Sequence, residues 1–172
     1  MKDRFIQNEL WYLSLAGAFQ RNKVYSKDIV DPKEHKKIAF KEKLKESVLE
    51  VAKFYNQFIS DDVHIANIKA IISGNANDIL DGGRLKFGTV QKLLNLYLKY
   101  MWCIGKLEHI PPHCPVDSII LDKSTSFRNA KWTKLDCEKE YMLYVEDLRE
   151  VARAKGIHLA EWELEIFNRR AD

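Results

Sequence analysis

The chain has little of the material from which hairpins, disulfide frameworks and membrane spans are built. Seven glycines and four prolines in 172 residues leave too few tight-turn residues for a sheet-rich fold and favour helices. The cysteines, Cys103, Cys114 and Cys137, are odd in number and follow no framework spacing. No stretch approaches the roughly 18 uninterrupted apolar residues of a membrane span. The opening residues, MKDRFIQNELWY, hold no apolar run suited to a secretory signal. From these absences we expect a cytoplasmic protein with reduced thiols and no membrane partner. There is no Walker loop, dinucleotide fingerprint, Gly-x-Ser-x-Gly elbow or His-Glu-x-x-His pair. Nucleotide hydrolysis, redox-cofactor chemistry and serine hydrolysis are set aside, and no cofactor or metal is expected.

What is present is ordinary globular material, 46% hydrophobic and 31% charged, in a length that suits one domain over residues 1–172. A helical stripe of Phe5, Ile6, Leu10, Leu13, Ala16 and Phe19 marks residues 3–21. Asp31-Pro32 predicts a helix start, with Ile38, Leu44, Val48, Val51, Phe54 and Tyr55 on one face as far as Gln57. Ser60-Asp61-Asp62 caps a third helix closed by Gly74. Asn75 to Gly88 is turn chemistry around Ile79-Leu80. Residues 89–104 are apolar around nearly the whole circumference, which predicts the buried central helix of the molecule. A proline-rich loop, 110–115, leads to a short helix at 117–122. Leu135-Asp136 opens a long amphipathic helix stopped by Gly156, and His158 with Glu161 forms a variant capping pair for a last helix over 159–170. The expected fold is an all-α bundle of six or seven helices.

Net charge is only +3, so its distribution carries the information. Residues 84–106 hold Arg84, Lys86, Lys92, Lys99 and Lys106 without an acidic residue, and residues 123–134 hold Lys123, Arg128, Lys131 and Lys134 likewise. The segment 135–165 is acidic. A basic middle and an acidic end suit phosphate contact on one face and a protein partner, met by the C-terminal helices, on the other. Charge runs of this length also serve as plain solvated helix faces.

Chemistry-bearing residues concentrate in 84–123. A glycine turn, Gly82-Gly83-Arg84-Leu85-Lys86-Phe87-Gly88, precedes the central helix, which carries Lys92 near its start. After the Pro-rich loop, Pro115-Val116-Asp117-Ser118 places an aspartate at a helix N-terminus. This arrangement resembles the helix-hairpin-helix DNA glycosylases, and among them most nearly the archaeal 8-oxoguanine branch, with its longer gap between lysine and aspartate. The resemblance implies DNA, ahead of RNA, as partner. It implies base excision with lyase activity, Lys92 as nucleophile and Asp117 as the carboxylate that faces the sugar. Lys86, 31 residues before Asp117 where Lys92 is 25 before it, competes for the lysine role. Gly83, Arg84 and Gly88 would contact phosphate; Arg128, Lys131 and Trp132 would extend the nucleic-acid surface. Trp102, Tyr97, Trp132 and Phe127 are candidates for a pocket around a flipped base. The turn departs from the Leu-Pro-Gly-x-Gly form usual in that family. Each residue also has a plain structural reading: Asp117 as a helix cap, Lys92 as a solvated lysine, the glycines as turn residues.

Three other readings stand beside this one. Cys103, His109, His113 and Cys114 lie within twelve residues, but in no recognised zinc spacing. Arg153 and His158 match the Arg-x4-His pattern of HEPN-type ribonucleases, with Gly156 interrupting it. A catalytically silent nucleic-acid-binding or defence-associated protein is the non-enzymatic alternative, using the same basic segments through phosphates alone.

Overall fold

In a computed structural model, which describes residues 1–31 and 33–167, the protein is all-α. Seven α-helices, joined by 3-10 turns, are found among the described residues: α1 (Lys2–Phe19), α2 (His35–Ala52), α3 (Asp61–Gly74), α4 (Phe87–Cys103), α5 (Ser118–Leu121), α6 (Glu138–Arg153) and α7 (Leu159–Ile166). The only β-type pairing among them is a single bridge, Tyr25 to Leu80. No helix of the described residues is long and apolar enough to cross a membrane.

Helix α4 occupies the centre, as its all-round apolarity predicts. Val90, Leu93, Leu94, Leu98 and Tyr97 are fully enclosed, and the polar Gln91, Lys92, Asn95 and Lys99 are buried with them. Helices α1 and α3 pack directly on α4, α2 lies against α3, and α6 packs with α7. The crossing of α1 over α4 is close because of Gly17: a β-carbon there would stand 2.8 Å from Leu96 Cδ1.

Local capping explains the helix starts that the sequence announces. The Ser60 side chain accepts from the Val63 amide at α3. His158 and Glu161 form a reciprocal capping box at α7. Gly105 and Gly156, both in the left-handed region, close α4 and α6.

Elsewhere long-range packing overrides the local pattern. Helix α1 buries Trp11, Leu15 and Ala18, whereas Phe5, Ile6 and Leu13 of the expected stripe are exposed. Helix α2 begins at His35, not at Asp31. The Asp31 carboxylate reaches forward to accept from the Lys36 and Lys37 amides, so it still serves that helix start. Pro32 and the expected end of the last helix, 168–170, lie outside the described residues. Phe40, not Ile38, is the buried residue near the start of α2. Asp136 does not open α6; it caps α4 from 49 residues away by accepting from the Phe87 amide at 3.0 Å.

Candidate active site

Asp117 is held at the N-terminus of α5, where its Oδ1 accepts from the amides of Ile119 (3.0 Å) and Ile120 (3.2 Å). Its other oxygen, Oδ2, lies 3.0 Å from Lys92 Nζ, and both side chains are about nine-tenths enclosed. The cap and ion-pair roles therefore coexist, each on its own oxygen. Lys92 is no solvated lysine. Its ammonium also sits 4.3 Å from the centre of the Trp132 ring, a cation–π position.

The pair forms part of the lining of a cleft of about 620 Å³, within the range of small-molecule sites. Leu13, Ala16, Gly17, Gln20 and Arg21 supply one wall from α1 and its C-terminal turn; Leu96, Ser118, Ile119, Trp132 and Phe167 supply the others. The lining is thus mixed: two aromatic rings and several aliphatic groups beside Gln20 and Ser118, two cations and one carboxylate. Of the aromatic pocket candidates only Trp132 is among these residues. Tyr97 is a fully buried core residue, and Phe127 packs on Tyr144.

Two polar networks hold this arrangement. In the first, the Gln91 side-chain amide clamps the Val116 backbone from both sides, donating to its carbonyl at 2.7 Å and accepting from its amide at 3.2 Å. That fixes the residue immediately before Asp117. Further back in the same loop, His113 Nδ1 meets the Tyr141 hydroxyl at 2.8 Å and His113 Nε2 meets Asp61 at 3.0 Å. Arg149 forks onto Asp61 and donates to the Pro112 carbonyl. The Arg149 hydrogen bonds, with His113, hold the Asp61 carboxyl well below the usual carboxylate range. Burial lowers the pKa of His113 and, more strongly, of its ring neighbour His64, disfavouring the charged imidazole in both.

The second network is a buried ion pair, Lys99 with Glu163 at 2.9 Å, linking α4 to α7. The Phe167 ring, which lines the cleft, covers the Lys99 ammonium at 4.5 Å. Burial raises the Glu163 carboxyl above its ordinary value. Neither network was visible in sequence, since their members are up to 88 residues apart.

The remaining candidates lie elsewhere. Lys86 is the residue before α4 and shares its electrostatic neighbourhood with Asp81 and Asp136. The glycine turn is committed internally. The Gly83 amide donates to Leu80 and the Gly88 amide to Leu135; Arg84 forks onto Asp136 at 2.9 and 2.6 Å. A β-carbon at Gly88 would fall 2.2 Å from the Trp132 carbonyl, so this glycine serves the close packing that seats Trp132. The basic run 84–106 is largely neutralised by partners: Arg84 by Asp136, Lys92 by Asp117, Lys99 by Glu163 and Lys106 by Asp3. In the second run Arg128 and Lys131 are exposed, Arg128 also donating to the Ser124 carbonyl.

Cys103, His109, His113 and Cys114 do not converge. Cys114 is buried, Cys103 is exposed at the end of α4 rather than enclosed within it, and no three His, Cys, Asp or Glu side chains of the described residues gather as metal ligands. Arg153 pairs on the surface with Glu150, and His158 caps α7 through Nδ1. Both residues of the Arg-x4-His pattern thus have local structural roles.

The fold and site together define an all-α protein with an enclosed lysine–carboxylate pair at an aromatic cleft. No protein-family model, curated protein or solved structure matches the chain.

Proposed function

We propose that the protein is a DNA base-excision glycosylase with lyase activity, acting on an extrahelical base at the Lys92–Asp117 cleft. The observation that carries this reading is the 3.0 Å contact of an enclosed lysine with an amide-anchored carboxylate at an aromatic-lined cleft. Breaking an N-glycosidic bond builds positive charge on the sugar, and an ionised carboxylate fixed in a dry site opposes that charge strongly. Asp117 is oriented for this by two amides that need not reorganise. The Lys92 ammonium passes a proton to Asp117 Oδ2. The free amine bonds to the sugar C1′ as the glycosidic electron pair leaves with the base, which takes up that proton and leaves Asp117 ionised. Opening of the C1′–O4′ bond, with a proton moving from nitrogen to O4′, gives the Schiff base. Trp132, already beneath the ammonium, supplies a flat apolar surface beside the reacting carbon. The length of α4 between Gln91 and Asn95 is tied to Val116 through Gln91 and to Tyr141 through Asn95, so the lysine sits on a rigid element.

The test is borohydride trapping on duplex and single-stranded DNA carrying a panel of damaged bases. A covalent adduct should form and be lost in Lys92→Gln. Asp117→Asn should lower the rate by about 10²–10³-fold while leaving binding nearly intact. An adduct that survives Lys92→Gln and disappears in Lys86→Gln would assign the chemistry to the other lysine. A salt-sensitive gel shift without any product, unaffected by Asp117→Asn, would replace the enzyme by a binding module using Arg128, Lys131 and Trp132.

A further inference from the structure

A protein that draws a nucleotide into this cleft must hold the strand on either side of it, and the donors of the glycine turn that the resemblance assigns to phosphate are already engaged. The Gly83 and Gly88 amides, the Phe87 amide and the Arg84 guanidinium are all spent on Leu80, Leu135 and Asp136. A phosphate approaching there would also meet the Asp136 carboxylate.

The opposite wall offers the missing cation. Residues Phe19–Asn22 form a type II turn at the end of α1: Gln20 has φ −57° and ψ 131°, Arg21 has φ +65°, and the Asn22 amide closes the turn on the Phe19 carbonyl at 3.2 Å. The Asn22 side chain ties the turn back to Ala18 at 2.8 Å. The third position of such a turn favours glycine or asparagine. Arginine is there against the backbone preference, as residues in sparsely populated conformations at functional sites often are. Its side chain is exposed, lines the cleft together with Lys92 and Asp117, and its guanidinium has no hydrogen bond or ion pair among the described residues. A guanidinium in that position fits the forked geometry of a phosphodiester.

We infer that Arg21 binds a backbone phosphate of the strand whose base enters the cleft, so the strand is anchored at the α1 turn rather than at the glycine turn. The inference rests on the proposed nucleic-acid function of the same cleft. Arg21 is a binding residue and takes no part in the bond changes at the sugar.

The test is fluorescence anisotropy with a duplex that carries a non-cleavable abasic analogue, titrated over a range of salt concentrations. Arg21→Gly suits the backbone and should keep or raise the melting temperature. It should weaken binding roughly 5–30-fold at low salt and lessen the slope of log K against log salt by about 0.9, the value of one phosphate contact. Arg21→Lys should keep the slope. Arg84→Gln should leave it unchanged. An unaltered slope in Arg21→Gly, or a loss in Arg84→Gln instead, overturns the inference. The borohydride adduct separates the two ideas: a trapped adduct with an unaltered slope in Arg21→Gly leaves the glycosylase standing and removes the anchor. A lessened slope without any adduct in the unmodified protein keeps the anchor and removes the enzyme. Failure of the unmodified protein to bind the duplex overturns both.

Discussion

At the scale of single residues, Asp117 carries two separable loads. One oxygen satisfies amide donors at the start of a four-residue helix; the other compensates an enclosed ammonium. The side-chain amide of asparagine can keep the first role and not the second. Asp117→Asn should therefore cost about 2–3 kcal/mol, because Lys92 is left without its carboxylate. Asp117→Ala should cost about 1 kcal/mol more, the usual worth of an N-cap. Adding Lys92→Met to Asp117→Asn should return most of the first loss. Urea titrations of the three variants decide the matter. Equal costs for Asn and Ala would mean that the cap contributes nothing, and no recovery in the double variant would mean that the ion pair was not the source of the loss. This residue was legible in the sequence because Pro115-Val116-Asp117-Ser118 is a local signal. Arg21 was not, since nothing in Gln20-Arg21-Asn22 announces a turn that calls for glycine.

At the scale of elements, the sequence spoke clearly wherever the determinant was local. Ser60, the His158–Glu161 pair, Gly105 and Gly156 set helix ends through contacts a few residues apart, and α4 showed its central place through composition alone. It was silent where a distant element decided. Helix α1 carries two apolar faces, and the one with Trp11, Leu15 and Ala18 is buried beside Gly17, whose lack of a β-carbon admits Leu96 of α4. Asp136 sits where a cap for α6 would sit, yet its carboxylate serves α4. The tie between α4 and α7 is of the same kind. Lys99 and Glu163, 6% and 1% exposed, attract each other in a place where both lose their hydration, so the pair need contribute no net stability even though each partner depends on the other. Glu163→Gln alone, or Lys99→Met alone, should destabilise by about 3–5 kcal/mol, whereas Lys99→Met with Glu163→Leu should fall near the unmodified protein. A double-mutant cycle by chemical denaturation reads the coupling directly. Single substitutions that cost under about 1 kcal/mol would show that the two groups are solvated in a way this geometry does not provide for.

For the whole molecule, the consequence of these networks is a dependence on acidity. His113 and His64 face each other inside the bundle, and burial is the main cause that lowers the pKa of both. In the unfolded chain each binds a proton near its ordinary pKa of about 6.5. The unfolded state therefore takes up more protons than the folded state below that pH, and stability present above about 6.5 is lost as pH falls. Asp61 adds to the loss in the same direction, but later. Its carboxyl is held low by Arg149 and His113, so its contribution is present above the ordinary carboxylate range and disappears as pH falls through and below it. Glu163 opposes both, because its raised carboxyl takes up its proton more readily folded than unfolded. That offset sets in above the ordinary carboxylate range, as pH falls through the raised value, and between pH 7 and 5.5 the two histidines act against it. Unfolding free energy should fall over this interval with a slope bounded by two protons' worth, on the order of 2–3 kcal/mol per pH unit, less what Glu163 returns. His113→Gln should lower stability at pH 7, by removing a bridge between Asp61 and Tyr141, and reduce the slope by about half. The measurement is chemical denaturation at several pH values, with proton uptake on unfolding followed in buffers of different ionisation enthalpy. A flat profile in the unmodified protein would show that the imidazoles titrate freely in the fold, and the pinning of the loop that carries Asp117 would then need another explanation. A steep profile would bind the stability of the bundle to His64 and to His113, whose bonds to Asp61 and Tyr141 help hold the approach to Asp117 in place.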